Sequence, residues 1–220
     1  MHRLLVPLAL TLSLTACDEA PGPIQDGDLI AVGDSIFDFH GGDQDVPGVV
    51  GEALGRSMVN NAIGGTMVTA GEDAIPAQYT DGPWSWLVAE GGGNDLNDRC
   101  GCGDCAGVLD EIVSEDGTAG AMADFALEVA DSGVGVVLMG YPGLPDGAEF
   151  GFDRCGEWLP RHSARLAALA GQHERIVFVD AREVADGTDL SLFDGDRVHP
   201  SIEGSRAMGE HIAAAIEGAD

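Results

Sequence analysis

Five short apolar runs, each trailed by a stretch long enough to hold a helix, constrain this chain more than any other feature. They are Leu29–Val32, Ser57–Ala62, Trp86–Ala89, Val136–Met139 and Ile176–Val179. Strands covered on both faces read as unbroken apolar runs, and strands alternating with helices pair in parallel through crossovers. One three-layer αβα domain spanning residues 28–220 follows. Helical spacing supports it: Met122, Phe125, Ala126 and Val129 lie on one face, with Gly133 placed to stop the helix. At the C-terminal end Ser201 is a candidate cap, Ile202, Met208, Ile212 and Ile216 are expected on one face, and Gly218 is the expected stop. Asp38–Val46 and Asp95–Ala106 read as the two long loops.

The N-terminus precedes the fold. Met1-His2-Arg3 is a short basic start, and Leu4–Leu14 is an apolar run of eleven residues, too short for a membrane span. Leu14-Thr15-Ala16-Cys17 resembles a bacterial lipobox, which implies a signal peptide over residues 1–16 and lipid on Cys17. Residues 17–27, rich in Pro, Gly and acid, read as a tether. The expected location is the bacterial cell envelope, with the protein exported and held to a membrane by that lipid.

Charge narrows the partners. Ten arginines and no lysine stand against 38 acidic residues, a formal net charge of −28. Nucleic-acid binding needs a basic face to displace counterions, and this composition has none. Such dense like charge is best tolerated where salt screens it.

The chemistry gathers at strand ends. Gly33-Asp34-Ser35-Ile36 follows the first run directly, putting a serine at the edge where open α/β sheets bind ligands. Asp196-Arg197-Val198-His199 places an acid three residues ahead of a histidine, so one turn of chain lets the carboxylate receive the imidazole proton. A serine, a histidine and an orienting acid are what nucleophilic acyl transfer requires. Donors for a developing oxyanion are available at two further strand ends, Asn60–Thr66 and Gly91–Asp95.

These four blocks, GDSI at 33–36, the glycine block ending at Gly65, GGND at 92–95 and DRVH at 196–199, resemble the SGNH/GDSL hydrolases over nearly the whole mature chain. The resemblance implies a flavodoxin-like five-stranded parallel sheet and hydrolysis of carboxylic esters. By position it makes Ser35 the nucleophile, His199 the general base and acid, and Asp196 its orienter. It draws the oxyanion hole from the Ser35 N–H, the Gly65 N–H and the Asn94 amide, choosing Gly65 over Gly64 because it stands five residues after Asn60. No cofactor and no metal are implied. The expected substrate is a small-molecule, lipid or polysaccharide acyl ester. An acyltransferase, lysophospholipase or thioesterase uses the same constellation, and a binding lipoprotein without turnover is a different class that the intact set speaks against.

With Cys17 lipidated, export leaves Cys100, Cys102, Cys105 and Cys155 for two disulfides rather than a thiolate metal site. A Cys100–Cys102 bond closes too small a ring, and Cys155 pairs with either Cys100 or Cys102. Asp34 and Asp95 read as acids that fix their own loops. His40, lying five residues past Ser35, is a candidate for the pocket rim. His162, His173 and His211 read as surface or packing residues, and Trp84, Trp86 and Trp158 as core or pocket wall.

Overall fold

The computed structural model describes residues 28–219; the expected signal peptide, the expected lipidation site Cys17 and the expected tether lie outside them. All five apolar runs contain or become strands: β1 Asp28–Val32, β2 Met58–Asn60, β3 Trp84–Ala89, β4 Gly135–Gly140 and β5 Ile176–Asp180. They form one parallel sheet in the order β2-β1-β3-β4-β5. This is the flavodoxin-like order, with its switch point between β1 and β3. Leu29–Val32, Trp86–Ala89 and Val136–Met139 are wholly buried, as central strands of a three-layer sandwich must be. The outer strands depart from that expectation. β2 is an edge of three residues with Val59 40% exposed, and Val177 and Phe178 of β5 are only half-buried, because an edge strand has a neighbour on one side alone.

The helices are α1 Ser35–Asp38, α2 Val46–Leu54, α3 Gly93–Cys100, α4 Ala106–Ile112, α5 Ala121–Asp131, α6 Trp158–Ala170 and α7 Ile202–Ala219. α2 and α7 pack together, and Gly209 sets how closely: a Cβ there would come 2.6 Å from the Cβ of Val49. α6 is tied to α4, since Arg165 donates to Asp110 at 2.6 Å and to the Val113 carbonyl at 2.8 Å. The expected apolar face of α5 is buried, and Ser201 caps α7 by accepting the Gly204 N–H at 3.1 Å.

Three expectations need correction. Ile202 is 45% exposed and lies off the face of Met208, Ile212 and Ile216, because a six-residue step rotates a side chain well away from its start. Gly218 does not end α7, which runs through Ala219. Most of Asp95–Ala106 is helical rather than loop; α3 has one large buried apolar side chain, Leu96, so it carries no periodic signal.

The cysteines pair Cys100 with Cys105 and Cys102 with Cys155, with Cα separations of 5.3 and 4.9 Å. The first joins the end of α3 to the start of α4. The second fastens the turn after α3 to the short helical turn Phe152–Glu157.

Candidate active site

Two neighbouring strand ends build the site. The paired residues Val32 of β1 and Ala89 of β3 finish side by side, and the chain leaves them through Gly33–Ser35 and Glu90–Asn94. Asp34 caps α1 by accepting the Ile36 N–H at 3.0 Å, which puts Ser35 on the first turn. The half-buried Ser35 opens into a cavity of roughly 360 Å³ that Gly65, Asn94, Phe150, Val198 and His199 also line. So Ser35, Gly65, Asn94 and His199, named from sequence separations of up to 164 residues, do share one cavity.

The last block folds as its spacing suggests. Arg197 takes a left-handed conformation, φ +60°, which turns the chain back so that His199 Nδ1 meets Asp196 Oδ2 at 2.7 Å. The other Asp196 oxygen accepts the N–H groups of Val198 at 2.9 Å and His199 at 3.0 Å. Burial tends to raise the Asp196 carboxyl, but these bonds outweigh it and hold it below the ordinary aspartate value. The His199 ring lies flat on Phe39, centroids 4.4 Å apart and planes 7° from parallel. His40 donates from Nε2 to the Pro200 carbonyl at 3.0 Å, so it braces the rim from outside the cavity.

The glycine block discriminates between its two glycines. The Gly64 N–H already donates to Asp38 Oδ2 at 2.9 Å, whereas no hydrogen bond among the described residues engages the Gly65 N–H, and Gly65 adopts φ +78°. Asn60 holds this loop to α1, donating to the Phe37 carbonyl at 2.9 Å and accepting the Ala62 N–H at 3.0 Å. In the run before Asn94, a Cβ on Gly92 would come 2.8 Å from His162 Nε2 and one on Gly93 would enter the Tyr141 ring. Only glycine lets this turn lie so close to its support. The Asn94 amide donates to the Thr66 carbonyl at 2.9 Å and to Asp34 Oδ2 at 3.1 Å.

Asp34 and Asp95 reach much farther than their own loops. Asp95 accepts the N–H groups of Val68 and Thr69 at 2.8 and 3.0 Å, locking the glycine-block loop to α3. Asp34 accepts from Asn94 and from the Tyr141 hydroxyl, and its N–H donates to Glu90 Oε1 at 2.7 Å. Glu90 and Tyr141, both buried, escaped the sequence reading. Burial and the neighbouring Asp34 carboxyl push Glu90 well above the ordinary glutamate value. A charged residue directly closing an apolar strand run was the available signal for Glu90. Tyr141, directly after the fourth run, gave none.

His162 is fully buried behind Gly92, and neither ring nitrogen has a partner among the described residues. Burial, aided by Arg165, lowers its pKa to about 4 from 6.5. The folded state thus binds fewer protons than the unfolded state between those values, and stability present above pH 6.5 is lost as pH falls toward 4. The lost part is about 3 kcal/mol at 1.36 kcal/mol per unit. Urea unfolding of His162→Leu should show a flatter decline than the parent from pH 6.5 to 4.5. Parallel declines would contradict this.

Residues 31–207 match the model of the GDSL-like Lipase/Acylhydrolase family. An acetylxylan esterase from Geobacillus stearothermophilus, solved as a catalytic mutant, superposes with TM-score 0.61 at 21% identity, covering 87% of this chain and 95% of that one. The aryl esterase of M. smegmatis superposes with TM-score 0.63 at 15% identity, covering 89% and 100%. At these identities the likeness is one of fold. No curated protein sequence matches the chain.

Proposed function

The chain belongs to the GDSL-like lipase/acylhydrolase family, whose family-level activity is carboxylic ester hydrolysis, and on that premise we propose that Ser35, His199 and Asp196 carry the reaction here. The observation that carries this reading is the single cavity lined by Ser35, Gly65, Asn94 and His199, with His199 bonded to Asp196 at its edge. With the Nδ1 proton directed at Asp196, His199 Nε2 keeps a lone pair for the Ser35 hydroxyl. Ser35 Oγ attacks the acyl carbon as its proton passes to Nε2. The tetrahedral intermediate then collapses: the carbon–oxygen bond to the alcohol breaks and the alcohol takes the proton from His199. Water repeats the sequence on the acyl-serine, releasing the acid and restoring the serine. Asp196, held ionised by its three donors, stabilises the imidazolium between the two transfers.

The oxyanion is assigned to the N–H groups of Ser35 and Gly65 and to Asn94. Gly65 is preferred over Gly64, whose N–H is already engaged by Asp38. Asn94 enters differently from the other two, because its amide protons rest on Asp34 and Thr66. It must release or share one of these bonds as charge develops, and the 3.1 Å bond to Asp34 is the longer.

With p-nitrophenyl acetate, Asn94→Ala should lower kcat by about 10²–10³ with a smaller change in KM, since the bond strengthens only in the transition state. A loss confined to KM, or a folded parent that cleaves no p-nitrophenyl ester of any chain length, would sink the assignment.

A further inference from the structure

Phe150 is a large apolar residue left 64% exposed in a left-handed conformation, φ +55°, that side chains with a Cβ disfavour. Both features would relax if the segment moved, yet the chain pins it from several directions. The Phe150 carbonyl accepts from Asn97 Nδ2 at 3.0 Å. The Glu149 N–H donates to the Asp196 carbonyl at 3.0 Å, and Arg197 donates to the Asp146 carbonyl at 2.6 Å. Beyond it Phe152 is buried and Cys155 is bonded to Cys102. A strained, exposed aromatic held this firmly beside a reactive group points to a ligand contact.

Its place defines which contact. Phe150 lines the same cavity as Ser35, and its ring centroid lies 6.1 Å from that of His199, tilted by 60°, while Phe39 stacks on His199 at 4.4 Å. The alcohol that leaves the tetrahedral intermediate must lie against His199 to receive its proton, whereas the acyl oxygen turns toward Gly65 and Asn94. Phe150 therefore stands on the alcohol side. We propose that Phe150 is a specificity-determining platform that favours esters of ring-bearing alcohols over those of open-chain alcohols; this rests on the Ser35–His199 reading above.

The test uses two acetates whose leaving groups are of similar basicity, benzyl acetate and ethyl acetate. Phe150→Gly suits it, because glycine accepts φ +55° without strain and the fold should keep its Tm. The kcat/KM ratio of benzyl to ethyl should fall about 10-fold in this variant, near the upper end of what an aromatic pair contributes. Phe150→Tyr should hold the parent ratio within about 2-fold, and Phe150→Asn, which also tolerates a left-handed backbone, should behave like the glycine variant. An unchanged ratio in Phe150→Gly, or an equal loss on both esters, overturns the proposal. Turnover surviving in Ser35→Ala would instead overturn the reading beneath it, so the two failures are told apart.

Discussion

Ser35→Ala should lower kcat on any ester the parent cleaves by about 10⁶, the size of effect found when the nucleophile of a serine triad is removed, and should leave the protein folded. The side chain sits half-buried at a cavity, and no hydrogen bond among the described residues uses its hydroxyl, so its loss removes chemistry and almost no packing. The backbone frame around position 35 is carried by others: Asp34 caps α1 and Asn60 holds the Phe37 carbonyl. Thermal melts of the variant and the parent should coincide within about 1 kcal/mol, as surface-accessible changes usually do. Loss of activity together with a large fall in Tm would mean that Ser35 is structural.

The second large effect belongs to Asp196. Asp196→Asn should cost about 10⁴ in kcat, because an amide facing Nδ1 stabilises the tautomer that carries its proton on Nε2, and that tautomer cannot accept from the serine. The asparagine oxygen still receives the Val198 and His199 N–H groups, so the loop keeps its turn. Asp196→Ala loses those bonds as well, and should add instability to a comparable loss of rate. Both stay milder than Ser35→Ala, since nucleophile and base remain in place. A kcat within about tenfold of the parent in Asp196→Asn would remove Asp196 from the mechanism.

How far the sequence carried these assignments depended on whether each residue's work was local. Short apolar runs marked all five strands: burial on both faces leaves such a composition in the three central ones, and the two edge strands keep it although they are partly exposed. The Asp196–His199 contact was legible because three residues of chain bring the groups together. The roles of Asp95 and Asp34 were not, since their partners lie 26 or more residues away along the chain and are met only once β1, β3 and the glycine-block loop converge. α3 was hidden for another reason. Its one large buried apolar residue leaves no periodic pattern, and it is fixed at its C-terminal end by disulfides and at its start by glycines that fit under Tyr141 and His162. The pairing of Cys155 with Cys102 likewise follows from where α3 ends, which the spacing of the cysteines left open. Phe150 is invisible to pattern altogether, because a single exposed aromatic gains meaning only from the group it stands beside.

The identity of the nucleophile is the central claim, and a fluorophosphonate addresses it directly: an activated serine oxygen displaces its fluoride and forms a phosphonate ester. Intact-protein mass after labelling should rise by one adduct, with peptide mapping placing it on Ser35 and with Ser35→Ala and His199→Ala taking up none. An adduct on any other residue, or undiminished labelling of Ser35→Ala, would contradict the account.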